Sequence, residues 1–111
     1  MDNQTALDSI YHAMADSTRR AVVARLTQGP ATVSELAEPH EIALPTFLKH
    51  LKVLEKSGLV RSVKRGRVRT CHIEAIPLQQ AEDWLAQQRQ LWEGRIDRLA
   101  ALAEEMEGQE R

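Results

Sequence analysis

Between Ala43 and His72, eight basic side chains (Lys49, Lys52, Lys56, Arg61, Lys64, Arg65, Arg67 and Arg69) face a single acidic one, Glu55. That segment therefore carries +7, and in a chain of net charge −1 the remainder carries −8. A basic middle on an acidic body suits an anionic partner that meets one surface. The chemistry available to such groups is ionic contact with phosphates, and hydrogen bonding to base edges where a helix presents them. A merely solvated surface explains a lone charge cluster equally well. The elements around the cluster must decide.

Other chemistries find few residues to carry them. Cys71 is the only cysteine, so one chain can build neither an internal disulfide nor a thiolate metal cluster. His12, His40, His50 and His72 fall in four separate segments without the i, i+4 spacing of helical metal ligands. No metal and no cofactor are expected. There is no Gly-rich phosphate loop, no nucleophile elbow and no carboxylate pair in an apolar setting, so an enzyme is not expected either. Cys71 is read either as an ordinary packed strand residue or as a thiol whose pKa Arg69 and His72 lower, which would make it a redox sensor. Arg19 and Arg20 either approach DNA or form a structural ion pair.

The positioning elements follow from periodicity. Leu7, Ile10, Tyr11 and Met14 fall at i, i+3, i+4, i+7 and predict an amphipathic first helix. Asp16 is the expected N-cap of a second helix with Ala21, Val22, Val23 and Leu26 on its apolar side, stopped by Gly29-Pro30. Thr32-Val33-Ser34-Glu35 has the form of a capping box opening a short helix, which Pro39 must end. After a turn over Glu38 to Ala43, Pro45 sits at the first position of a fourth helix that runs to Ser57, with Gly58 as its left-handed stop.

On a helical wheel Leu44, Phe47, Leu48, Leu51 and Leu54 fill one arc of about 120° and read as core. Pro45, Thr46, Lys49, Lys52, Val53 and Lys56 lie opposite. Thr46 and Lys49 stand in the first turn and a half, where a recognition helix meets base edges, and Lys52 and Lys56 point towards the backbone. His50, at the border of the arc, contacts DNA or packs inward. Leu59 to Arg65 and Arg67 to Ile73 alternate as two strands around Gly66, a hairpin with Lys64, Arg65 and Arg67 at its tip and Arg61 and Arg69 extending its positive surface. Ser34, near the start of the short helix, is placed to hold a phosphate.

After Pro77 one long helix is expected from Leu78 to about Met106. Leu85, Trp92, Leu99 and Met106 repeat every seven residues, and Ala81, Trp84, Leu91, Ile96, Leu102 and Ala103 widen the stripe. Such a stripe exceeds what a small core can cover, so a second copy is expected to cover it, together with the first helix. Glu104 to Arg111 are polar and expected to fray. The dimer residues predicted are Leu7, Ile10, Tyr11, Met14, Leu85, Trp92, Leu99, Leu102 and Met106. An apolar cavity between the paired long helices is where an unknown small organic effector would bind.

At 111 residues, with 42% hydrophobic but only 4% aromatic residues, the chain predicts one domain with an aliphatic core. The expected class is mainly α with a small β-hairpin wing, a winged helix-turn-helix ordered α-α-α-α-β-β-α. Within 1–111, residues 1–28 and 78–106 are the dimerisation helices, 32–57 the helix-turn-helix and 59–74 the wing. The N-terminus lacks the basic start and apolar run of a signal peptide, and no stretch is long and apolar enough to cross a bilayer. A soluble cytoplasmic protein without membrane contact is expected.

Thr32-Val-Ser-Glu-Leu-Ala37, the run Leu44-Pro-Thr-Phe-Leu-Lys-His-Leu-Lys-Val-Leu-Glu-Lys-Ser-Gly-Leu-Val60 and Ala13-Met-Ala-Asp-Ser-Thr-Arg-Arg20 resemble the ArsR-type winged helix-turn-helix regulators across nearly the whole chain. The resemblance implies a homodimer that binds double-stranded operator DNA, usually as a repressor. Two features depart from it. Leu48 stands where the family often has a DNA-facing serine, and a leucine there widens the apolar arc. The short helix lacks a Cys-x-Cys pair and the last helix lacks histidine, so metal sensing is not expected. The alternatives are a winged-helix protein-interaction adaptor without DNA binding, and a regulator responding to thiol oxidation through Cys71.

Overall fold

The computed structural model describes residues 3–109, so the outermost ends of the predicted 1–111 span, positions 1–2 and 110–111, lie outside the described residues. Its elements are α1 (Asn3–Met14), α2 (Ser17–Leu26), β1 (Ala31–Thr32), α3 (Val33–Ala37), α4 (Leu44–Lys56), β2 (Val60–Arg65), β3 (Val68–Ile73) and α5 (Ala75–Gln109). They form a winged helix-turn-helix with a three-stranded antiparallel sheet of order β1-β3-β2.

Local capping starts the helices where the sequence predicts. The Asp16 carboxylate accepts from the Arg19 amide, and Thr32 and Glu35 close a reciprocal capping box. Each satisfies amides that the first helical turn leaves without partners. Two helices start earlier than predicted. In α4 Leu44 precedes Pro45, and α5 begins at Ala75 with Pro77 inside its first turn. Proline is accommodated there because first-turn N–H groups have no intrahelical acceptor. At its other end α5 continues in helical form through Gln109, past the predicted fraying point at Glu104.

The carboxyls of Asp16 and Glu35 are both held below their ordinary range, Asp16 first by the Arg19 amide and Glu35 first by the Thr32 amide. A carboxyl whose folded pKa is depressed stabilises the fold fully above its unfolded pKa, about 4 for these groups, and loses that contribution as pH falls to the folded value. The urea midpoint is therefore expected to fall as pH drops below about 4, and the double variant D16N/E35Q should show a smaller fall over the same window. An equal pH dependence in both proteins would refute the assignment.

The described residues divide into two compact units, one ending at Ala81 and one beginning at Glu82. In the first, Ile10 and Ala13 of α1, Val22 and Leu26 of α2, Leu36 of α3, and Phe47, Leu51 and Leu54 of α4 close over Leu59, Val60 and Cys71 of the sheet region. Full burial of one such leucine or phenylalanine contributes about 2 kcal/mol. Tyr11 donates to the Ala81 carbonyl at 2.8 Å and so ties α1 to the first turns of α5. The second unit is helix alone; Leu85, Trp92, Leu99, Leu102 and Met106 are exposed in it, and α5 has no buried residue among those described.

One predicted dimer residue is corrected. Ile10 lies fully inside the core of a single protomer and is unavailable to a second copy, whereas Leu7, Tyr11 and Met14 are half-buried. The same i, i+3, i+4, i+7 stripe serves α2 and α4 first, and only its edges remain accessible.

Candidate nucleic-acid interface

In α4 the apolar arc is narrower than the wheel suggests. Phe47, Leu51 and Leu54 are sealed against α1 and α2, but Leu48 is 38% exposed and Leu44 55%. Leu48 borders a groove that α4 shares with the wing. Pro45, Thr46, Lys49, Lys52 and Lys56 are exposed, as a reading surface requires.

His50 takes the inward alternative. Its Nδ1 lies 2.9 Å from an Arg19 guanidinium nitrogen and 3.7 Å from Asp16 Oδ2. A guanidinium can only donate, so in this hydrogen bond Nδ1 takes the acceptor role. Arg19, buried at 9% exposure, also donates to the carbonyls of Ala13 at 2.8 Å and His12 at 3.0 Å, and Arg20 donates to that of Met14 at 3.0 Å. These carbonyls lie at the C-terminal end of α1, where the helix supplies few partners of its own; that of His12 also accepts from the Ala15 amide at 3.2 Å. In place of the structural ion pair that was one of the two alternatives for Arg19 and Arg20, their guanidiniums form a cationic cap on α1, with Arg19 joined to α4 through His50.

The wing is the hairpin of β2 and β3. Arg65 pairs with Val68, which leaves Gly66 and Arg67 as a two-residue turn. Gly66 has φ +62° and no residue other than glycine adopts positive φ among the described residues, Arg67 included, the sign pattern of a type II′ hairpin turn. Pleating divides the tip. Lys64 and Arg67 border an open groove of about 650 Å³ whose other walls include Thr32, Ser34 and Leu48, while Arg65 lines the opposite face with Arg61 and His72.

The predicted positive surface along the arms is smaller than the composition implies. Arg61 bonds Glu74 and Arg69 bonds Glu55, each at 2.7 Å. Lys49, Lys52, Lys56, Lys64, Arg65 and Arg67 have no ion-pair partner among the described residues, so these six remain available to an anion. Glu55, the one acid in the basic segment, also accepts from Ser62 Oγ. It therefore fastens the C-terminal half of α4 to both wing strands.

Cys71 is fully buried, 3.6 Å from Ser62 Oγ, and burial pushes its thiol pKa up. A sensor thiol needs the opposite, a lowered pKa and solvent access. The packed-residue alternative describes this site.

Strand β1 was not legible in the sequence. Two residues are too few to show a period, yet Ala31 pairs with Cys71 and Thr32 with Thr70. This pairing carries Ser34, two residues on, to the groove wall opposite Arg67.

Comparison with known proteins agrees with this geometry. A family model described as a helix-turn-helix domain matches residues 14–63. The HTH-type transcriptional regulator Rv2034 of Mycobacterium tuberculosis is 38% identical over 74 residues, 67% of this chain and 69% of the relative. The crystal structure of the ArsR family transcriptional regulator RHA00566 is 57% identical, with a TM-score of 0.79 over 81% of this chain and 93% of that one. The chain belongs to the ArsR family.

As an ArsR family member it is a transcriptional regulator with a helix-turn-helix DNA-binding domain, and not an enzyme. A more distant ArsR-like fold, the homodimeric winged helix-turn-helix DNA-binding domain Mb0332 of Mycobacterium bovis, is 22% identical with a TM-score of 0.62 over 79% of this chain and 83% of that one. Within the family pattern, the residues that sequence reasoning missed are Glu55, Ser62 and the outward side of Leu48. Glu55 was signalled only by being the lone acid among eight bases.

Proposed function

We propose that this ArsR family member binds a specific double-stranded operator as a homodimer and represses transcription there, without metal or cofactor. The observation that carries this reading is the surface of α4 and the wing. Thr46 and Lys49 are exposed in the first turn and a half of α4, flanked by five further cations that no carboxylate neutralises among the described residues. Thr46 and Lys49 would read base edges in the major groove. Lys52, Lys56, Lys64, Arg65 and Arg67 would hold phosphates, with the Ser34 hydroxyl beside them.

Dimerisation is supported by the exposed heptad stripe of Leu85, Trp92, Leu99 and Met106, flanked by Leu102, on a helix with no buried residue. So much apolar surface needs a partner, and a second copy presents a matching stripe. Metal independence rests on the donor groups, since Cys71 is walled into the core, His50 is engaged by Arg19, and His40 stacks on Phe47. Repression is the simplest consequence of a small dimer that covers promoter DNA. The reading places the protein in the cytoplasm with that DNA; no helix among the described residues is long and apolar enough to cross a membrane.

Selection of bound duplexes from a genomic fragment library by the purified protein is expected to enrich an inverted repeat. Its half-sites should be centred about one helical turn, or a multiple of it, apart. Failure to enrich any sequence would sink the proposal.

A further inference from the structure

We infer that Leu48 is a specificity-determining residue that receives the 5-methyl group of a thymine in the groove between α4 and the wing. The inference deepens the DNA-binding reading above and rests on it. Leu48 is the fifth residue of α4, between Thr46 and Lys49. It therefore occupies the stretch of a recognition helix that reaches base edges. Leu51, one turn on, and the adjacent Phe47 are almost fully buried, yet Leu48 itself stays 38% exposed.

The surroundings point to one occupant. Leu48 shares its groove with Val33 and Val68, and Lys64, Arg67 and Ser34 stand around the same opening. Cationic and hydroxyl groups around an apolar patch suit a chain that is anionic along its backbone and carries apolar groups on its inner edge. In the major groove only thymine presents such a group, the 5-methyl; guanine, adenine and cytosine offer hydrogen-bonding groups there. A polar edge pressed on leucine would lose its water without gaining a partner. Leu48 thus favours thymine at one position and disfavours the other bases. A serine in its place would accept several.

Deoxyuridine differs from thymidine only by the missing methyl group, so operators recovered by selection can be scanned with it one thymine at a time. One thymine per half-site is expected to stand out, with affinity falling about fourfold on replacement, from the loss of one buried methyl group. Symmetric replacement in both half-sites should give about sixteenfold. In L48A and L48S the same replacement should change affinity less than 1.5-fold (about 0.2 kcal/mol), whereas L48M should keep most of the discrimination. The site is at the surface, and unchanged circular dichroism and thermal midpoint will report that the variants fold. The inference is overturned if deoxyuridine is tolerated at every thymine, or if L48A retains the full penalty. Recovery of no operator would instead overturn the DNA-binding reading beneath it, and the two failures are distinguishable.

Discussion

Arg19→Met is expected to destabilise the protein by about 3 kcal/mol, the largest effect of any single polar substitution predicted here. The guanidinium is nearly fully buried and serves three acceptors, the carbonyls of His12 and Ala13 and the imidazole of His50. Methionine fills much of the same volume but donates nothing. Each acceptor is then left partly or wholly without a partner, at about 1 kcal/mol or more apiece. In a domain of this size the thermal midpoint should fall by 10 °C or more at fixed protein concentration, about 4–8 °C per kcal/mol. Arg20→Met is the control, since Arg20 is exposed and its side chain makes one hydrogen bond, to the Met14 carbonyl. A loss below about 1 kcal/mol for Arg19→Met, or equal losses for the two variants, would show that the cap on α1 is not held by Arg19.

The second large effect concerns DNA. Arg65→Ala with Arg67→Ala is expected to weaken operator and nonspecific DNA alike by about two to three orders of magnitude near 0.1 M salt, because four arginines leave a dimer. The diagnostic is the salt slope. Log affinity against log salt should flatten by about 0.9 for each lost phosphate contact, between three and four units in total. Arg61→Ala provides the contrast. It removes the same charge from the same hairpin, but Arg61 is already paired with Glu74, so the slope should change by well under one unit per site. If the tip pair and Arg61 flattened the slope equally per charge, the division of the wing into neutralised and available cations would be wrong.

Both predictions depend on distinctions that the residues' types do not carry. Eight basic residues stand in one segment, and by composition they are equivalent. Docking of the wing on α4 brings Arg69 to Glu55, and the end of β3 brings Glu74 to Arg61, which leaves six of the eight. The choice between the two alternatives for His50 was likewise made by a residue thirty-one positions away, Arg19.

What the sequence by itself determined was everything governed by near neighbours. The N-cap at Asp16, the Thr32/Glu35 capping box, the left-handed stop at Gly58 (φ +82°) and the hairpin turn at Gly66 all stand as read. Each depends on side chains and amides within about four residues, whose geometry the local chain dictates. The order of the five helices and the hairpin also belongs here, since periods of 3.6 and 2 are visible along the chain; the family resemblance lay in the motifs of 13–20, 32–37 and 44–60.

Only the tertiary structure decided the rest. It turned Ile10 from interface to core, gave β1 a partner that its two residues could not announce, and left Leu48 exposed beside the wing. A helical wheel marks which side chains are apolar, but the neighbouring elements set how much of the apolar arc is covered. In α4 the helices α1 and α2 cover Phe47, Leu51 and Leu54, while the wing leaves the edge at Leu48 open. That open edge is where Leu48, one of the sequence's two departures from its family pattern, stands.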